Sequence, residues 1–242
     1  MNATSLRERI RAGRHGFLLL AIILAFSIRP LISDATTSTL VFSAAMLLLL
    51  LMALYTTQVD ELVGDHDRLL AERKRWNRVG WLLALPALTE RIYALIFPTP
   101  KMTLVTGISW FLFLAFVTFN LLRTLIRHRD VTNQTIALSI SVYLLIGMTW
   151  SMLYILIFNL QDNAFSFNSG APAPAIGDQH VFPTFLYFSL TTISTMGFGD
   201  IVPLTVQARF AAVAEGISGQ FYMAVLVARL VSLQISASSQ SD

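Results

Sequence analysis

The sequence TTISTMGFGD, at residues 191–200, is the most informative stretch of this chain. Two glycines, Gly197 and Gly199, alternate in it with larger residues. Because glycine adopts positive φ at little steric cost, this alternation allows successive backbone carbonyl groups to line one path while the larger side chains pack away from it. The apolar run that precedes it, residues 183–194, predicts a short helix. The carboxyl end of that helix carries roughly half a negative charge and favours a cation on the path.

The composition around this stretch indicates a membrane protein. Apolar residues make up 55% of the 242 residues and charged residues 13%, with a mean hydropathy of +0.65. Soluble globular chains have roughly 45 to 50% apolar and about 25% charged residues. With no cysteine, the composition excludes an ordinary soluble enzyme, a disordered chain and a disulfide-stapled secreted module. No P-loop, HExxH motif or dinucleotide fingerprint occurs, so we predict neither an enzyme nor a nucleic-acid-binding protein.

Six apolar stretches approach or exceed the roughly 20 residues that a membrane-crossing helix needs. They are residues 17–32, 38–57, 79–97, 103–126, 134–160 and 204–235. The first could be read as a signal peptide, but no small-x-small cleavage site follows Ser33, which favours a retained helix. The short helix at 183–194 cannot cross, so it must enter and return. We predict an all-α membrane protein of six transmembrane helices, with a re-entrant pore helix and filter loop between helices five and six.

The predicted order of domains follows from these stretches. A basic arm at 1–16 comes first, then a four-helix peripheral membrane domain at 17–130, a pore domain at 134–236 and a short tail at 237–242. We expect no ligand-binding domain after the last helix, because so few residues follow it. One chain supplies only one strand of carbonyl groups, so closing a ring around an ion predicts a symmetric homo-oligomer.

Lys and Arg cluster in alternate connections. The clusters lie before residue 17, within 58–78 and within 123–129, whereas the connections at 31–37 and 161–181 have none and the one at 98–102 has only Lys101. Cationic loops stay on the cytoplasmic side, so we predict that both termini are cytoplasmic. Compactness and the absence of a targeting signal favour a prokaryotic inner membrane.

Residues 191–200 resemble the pore helix and selectivity filter of tetrameric potassium channels, whose filters are rings of backbone carbonyls. The resemblance extends over residues 134–235 and covers the outer helix, turret, pore helix, filter and inner helix in order. It implies a homotetramer that conducts K⁺ passively across the bilayer, with K⁺ as the permeant ion and no cofactor. The implied K⁺ ligands are the carbonyl groups of Thr195, Met196, Gly197 and Phe198, with Gly199 completing the filter.

The resemblance also implies roles for neighbouring residues. The residues that would support the filter are Thr191, Thr192, Asp200 and an aromatic cuff of Tyr187 and Phe188. Gly219 matches the gating hinge of the inner helix.

The chain departs from the family at two filter positions and in its fourth span. Met196 stands where Val is usual, and Phe198 stands where Tyr is usual. Phe198 lacks the hydroxyl that could tie the filter to the cuff, which predicts a less tightly braced filter that is prone to closing. Residues 103–122 contain no Arg or Lys. Because voltage supplies only about 2.3 kcal/mol per charge per 100 mV, we do not expect steep voltage gating.

Several polar residues in or near the predicted spans are candidate modulators. Glu215 is expected to brace the filter from behind or to face the ion path, and Gln220 to join helices or line the pore. His180 is either a solvated loop residue or a proton-sensitive group at the outer mouth. Glu90 and Arg91 form either a structural pair within the third span or part of a gating mechanism.

Two other functions remain open from the sequence. A weakly selective cation channel would pass Na⁺ and K⁺ comparably, and a non-conducting membrane subunit or sensor could keep the pore fold. The intact filter favours the potassium channel.

Overall fold

The computed structural model describes residues 13, 15–26, 35–59, 68–96, 104–127, 132–168, 174 and 180–238. Most of the predicted basic arm at 1–16, most of the turret and the last four residues of the tail lie outside the described residues. The elements in chain order are α1 (His15–Phe26), α2 (Ala35–Val59), α3 (Arg68–Ile96), α4 (Leu104–Arg127), α5 (Asn133–Leu160), β1 (Phe165–Phe167), α6 (Val181–Ile193), β2 (Ile201–Pro203) and α7 (Val206–Ser238).

A helix occupies each of the six apolar stretches and the predicted pore helix. The largest difference in position is α3, which begins at Arg68 because the charged connection continues into the same helix. By length and composition, α4, α5 and the Val206–Arg229 part of α7 are apolar enough to cross a membrane among the described residues. The protein is therefore mostly helical, with three candidate spans. The six-span topology remains a prediction.

The described residues group into two compact units. The peripheral unit comprises Met1–Pro98 and Phe116–Val142, and the pore unit comprises Thr99–Ala115 and Tyr143–Asp242. The domain boundaries predicted from the sequence remain predictions.

In the peripheral unit, α2 packs against α3 through apolar and small side chains. Fully buried residues include Leu49, Leu50, Ala53, Ala84 and Ala87. Small residues let helix backbones approach closely, which is how helices associate where lipid removes the hydrophobic driving force.

The pore unit contains a pair of short strands that the sequence analysis missed. The connection after the fifth apolar stretch was not predicted to contain a strand, yet β1 pairs antiparallel with β2, with Phe165 opposite Pro203 and Phe167 opposite Ile201. Three residues give too short an alternation to predict a strand. The pairing joins the segment after α5 to the segment that follows the filter.

Candidate functional site

The chain reverses direction immediately after α6. Past the last helical residue, Ile193, the amide of Thr195 donates to the carbonyl of Thr192 at 3.0 Å, and the amide of Gly197 donates to the carbonyl of Thr191 at 3.1 Å. These bonds fold the start of the filter segment back onto the last turn of α6. The end of the short helix and the filter are thus one hydrogen-bonded unit.

Positive φ recurs at every second residue of the filter segment. The values are 60° at Thr195, 52° at Gly197 and 77° at Gly199. Positive φ at the two glycines was predicted and is confirmed, while its occurrence at Thr195 was not foreseen. Such a conformation is uncommon for a β-branched residue. Because consecutive residues alternate in handedness, the backbone suits the lining of a path with carbonyl groups.

The whole filter segment is exposed in the single chain. Residues 195–199 are all exposed, and the side chains of Met196 and Phe198 are 67% and 66% exposed. Two large apolar side chains with so much exposed surface on one loop indicate a surface that a single chain leaves open.

Tyr187, in the predicted cuff, lies against Phe198 of the filter segment. Its ring stacks on that of Phe198, with centroids 6.2 Å apart and planes 2° from parallel. Desolvation raises the pKa of Tyr187, and a hydrogen bond to Asp200 and the charge of that carboxylate add to the shift. The phenol hydroxyl of Tyr187 therefore lies beside the carboxylate of Asp200, next to a ring, Phe198, that has no hydroxyl of its own.

Phe188, the other predicted cuff residue, faces a different direction. Its ring lies edge-on to Tyr154 at 4.9 Å and to Phe165 at 5.5 Å. It belongs to a cluster in which aromatic rings from α5, β1 and α6 pack together. The members are Tyr154, Phe158, Phe165, Phe167, Phe185 and Phe188. The cluster fixes α6 against α5 and β1.

The predicted support residues Thr191 and Thr192 bond within α6. Both hydroxyl groups donate to the carbonyl of Phe188, at 2.9 and 2.8 Å. Their side chains therefore close the last turn of the helix, while the carbonyl groups of the same two residues receive the filter amides.

The strand pair holds the outer end of the filter. The amide of Asn168 donates to the carbonyl of Asp200 at 2.6 Å, and the amide of Leu204 donates to the carbonyl of Ala164 at 2.8 Å. The side chain of Asp200 accepts the amide of Ile201 at 3.1 Å. Asp200 is thus held by its backbone and its side chain, directly after Gly199.

Gly219 lies where α7 packs against the end of α6. A β-carbon at this position would lie 2.5 Å from Cγ1 of Ile193 and 2.7 Å from its carbonyl oxygen. Approaches below 3.0 Å to backbone atoms require the structure to shift. α7 continues through Gly219 without a break, so the residue has a packing role in this conformation. Its role as a hinge remains a prediction.

Glu215, one turn earlier on α7, is fully buried at 0% exposure. Its Oε2 accepts the hydroxyl of Tyr154 on α5 at 2.5 Å, and its Oε1 is hydrogen-bonded to the hydroxyl of Ser189 on α6. Ser189 Oγ also lies 2.7 Å from the carbonyl oxygen of Gly147 on α5. The carboxyl group therefore joins three helices. The sequence indicated that Glu215 is unusual but not which residues it contacts.

The remaining candidate modulators are not brought together with this cluster. Gln220 is exposed on α7. His180 is exposed at the start of α6, where its carbonyl accepts the amide and hydroxyl of Thr184. Glu90 is half-buried in α3, and the side chain of Arg91 lies outside the described residues. Their functional roles remain predictions.

A family model described as an ion channel matches residues 163–235, which is less than a third of the chain. The matched residues run from the turn before β1 through the filter into α7. Comparison with curated proteins and with solved structures found no match. The match and the apolar helices support ion-channel activity in an integral membrane protein, rather than an enzyme.

Proposed function

We propose that the protein is a potassium-selective channel that conducts K⁺ passively through the filter at residues 195–199. The observation that carries this proposal is the positive φ at Thr195, Gly197 and Gly199, directly after a short helix too short to cross the bilayer. Rings of carbonyl groups on such a backbone replace the hydration shell of K⁺. Selectivity over Na⁺ follows from the size of the ring or from the field strength of its carbonyl dipoles. The carboxyl end of α6 adds roughly half a negative charge at the cation path.

The functional unit that we propose is a homotetramer. One chain leaves residues 195–199 exposed, so a closed ring of ligands needs further copies around the ion. α7 offers an apolar stripe at helical spacing, each member at least half exposed: Val206, Phe210, Val213, Ile217 and Phe221. Further copies of this chain are the proposed occupants of the stripe, because rotational symmetry that closes the filter also brings the inner helices together.

Gating by a charge ladder in the fourth helix is not part of the proposal. α4 carries no Arg or Lys before Arg123 near its end, and steep voltage dependence requires several charges in the field. The two alternatives from the sequence, a weakly selective cation channel and a non-conducting subunit, are distinguished by the experiment below.

The test is K⁺ flux from liposomes that contain the purified protein, with Na⁺ substitution. Gly197→Ala is the test variant, since a side chain at φ 52° is strained although nothing lies within 4 Å of its β-carbon position. Gly16→Ala, with equally open space in α1, is the matched control. We expect K⁺-selective flux that Gly197→Ala lowers at least tenfold, because about 1 to 2 kcal/mol of strain per subunit accumulates around a ring.

Three results would contradict the proposal. Comparable Na⁺ and K⁺ flux would indicate a weakly selective channel. Absence of flux from a stable tetramer under varied voltage, pH and lipid would indicate a non-conducting subunit. A monomer after chemical cross-linking in liposomes would exclude a filter built from several copies.

A further inference from the structure

The buried carboxyl group of Glu215 is the strongest unexplained feature outside the filter. It lies in the middle of α7 at 0% exposure, and both of its hydrogen-bond partners, Tyr154 and Ser189, are also fully buried. Burying an ionised carboxylate is costly unless a cation is paired with it. The groups around Glu215 must therefore explain how its carboxyl group is stable when it is buried.

The ionisable groups that face Glu215 in the described part of the chain carry no positive charge. From α5 these are the phenols of Tyr143 and Tyr154, and from α6 the carboxyl group meets the neutral hydroxyl of Ser189. A buried ion pair therefore does not account for Glu215.

The number of protons available at Ser189 distinguishes the ionised form of Glu215 from the protonated form. Its hydroxyl has one proton to donate, yet Oγ lies within hydrogen-bond distance of two oxygens, the carbonyl of Gly147 and Oε1 of Glu215. If Glu215 were ionised, one of these contacts would join two acceptors with no proton between them. If Oε1 carries a proton, it donates to Ser189, and Ser189 donates to Gly147.

The hydrogen bond between Tyr154 and Glu215 is also consistent with a protonated carboxyl group. The hydroxyl of Tyr154 donates to Oε2 of Glu215, which is the carbonyl oxygen of a protonated carboxyl group. The chain of donors then runs from Tyr154 to Glu215, on to Ser189 and finally to the backbone of α5. Every contact has one proton.

We infer that Glu215 is held as a neutral carboxylic acid that donates to Ser189, and that this bond positions the pore helix α6 between α5 and α7. Ser189 lies one turn before Ile193, and Glu215 lies one turn before Gly219, which contacts Ile193. The polar bond and the close contact are therefore two points, one turn apart, that fix the register of α6 on α7. Ile193 is two residues before Thr195, where the filter begins.

The protonation state is independent of the proposed function, whereas the positioning role rests on it. The first experiment therefore reads the carboxyl group directly. Infrared spectra of the full-length protein in liposomes should show, at neutral pH, the C=O stretch of a protonated carboxylic acid, shifted in D₂O and absent from Glu215→Gln. Absence of a band that the substitution removes would overturn the inference, whether or not the protein conducts.

The second experiment tests positioning through substitutions of matched size. In Glu215→Gln the amide donates to Ser189 and its carbonyl accepts from Tyr154, so the neutral pattern is kept. Glu215→Met fills similar space without either bond. We expect K⁺ flux close to wild type for Gln and roughly tenfold lower for Met, the scale of one or two lost buried hydrogen bonds. Similar flux in both variants, with normal expression, would overturn the positioning role.

A pH profile separates positioning from simple loss of stability. Raising the pH until Glu215 ionises should lower wild-type flux, because Ser189 then faces two acceptors, while Glu215→Gln should not respond over the same range. Parallel profiles would overturn the positioning role. Complete absence of flux in the wild type would count against the proposed function, and the infrared band would still decide the protonation state.

Discussion

The peripheral unit and the pore unit use buried polar groups differently. In the peripheral unit, Ser139 and Ser141 are buried and donate to carbonyl groups three and four residues earlier in the same helix. In the pore unit, the buried Ser151 also bonds within its own helix, to the carbonyl of Met148, but Ser189 reaches a carbonyl 42 residues away and Tyr154 reaches a carboxyl group 61 residues away.

Because of this difference, the buried hydrogen bonds of the two units depend to different extents on the positions of neighbouring helices. A hydroxyl that bonds back within its own helix depends on nothing outside that helix. A hydroxyl that bonds to another element needs that element in one position, so its loss leaves buried polar atoms without partners. We therefore expect the pore unit to be sensitive to conservative substitutions that the peripheral unit tolerates.

The largest expected contrast is between two glycines. Gly219→Ala places a β-carbon 2.5 Å from Cγ1 and 2.7 Å from the carbonyl oxygen of Ile193, whereas Gly80→Ala meets side chains alone, the ring of Phe116 at 3.1 Å and Cδ2 of Leu54 at 3.7 Å. The ring can move and the backbone carbonyl cannot. We expect Gly219→Ala to cost about 1 to 3 kcal/mol of stability and to reduce flux strongly. Gly80→Ala gains helix propensity of about 0.5 to 1 kcal/mol and should be nearly neutral.

Thermal unfolding in detergent, followed by tryptophan fluorescence, and K⁺ flux check this pair of variants. Equal effects at the two glycines would contradict the distinction between the units. A strong loss of flux in Gly219→Ala with unchanged stability would instead favour the predicted hinge.

An intermediate effect is expected where the strand pair holds the filter. Asn168→Pro removes the amide that donates to the carbonyl of Asp200, because proline has no N–H. Asn168→Ala keeps that amide and loses only the side chain, which bonds to Ser166, so it is the matched control. Losing one hydrogen bond of about 1 kcal/mol should lower K⁺ flux several-fold in the Pro variant. Equal K⁺ flux in both variants would show that the hydrogen bond from Asn168 to Asp200 does not support the filter.

The smallest effect is expected from Tyr187→Phe. The substitution keeps the ring that stacks on Phe198 and removes the hydroxyl that lies beside the carboxylate of Asp200. Because the side chain is part-exposed and water can replace the lost partner, we expect a change of about twofold or less in flux, seen best as faster decay during sustained conduction. A decay as slow as that of the wild type would indicate that the hydroxyl of Tyr187 does not help to hold Asp200.

The positions of the helices were readable from the residues because hydropathy is a local property. Each predicted apolar stretch contains a helix, and the positive φ of Gly197 and Gly199 follows from glycine in an alternating segment. The strands β1 and β2 were not predicted, since three residues carry too little pattern. The packing role of Gly219 was missed because a glycine in a helix does not reveal which atom approaches it.

The residues alone specify the membrane environment, the helices and the turn into the filter, because all three depend on the apolarity or backbone freedom of neighbouring residues. The packing of the helices sets the position of Tyr187 beside Asp200, the bond from Asn168 to the outer end of the filter and the contacts of Glu215 with Ser189 and Tyr154. Those contacts join residues far apart in the chain. Their geometry depends on how α5, α6 and α7 pack, which no local pattern of residues specifies.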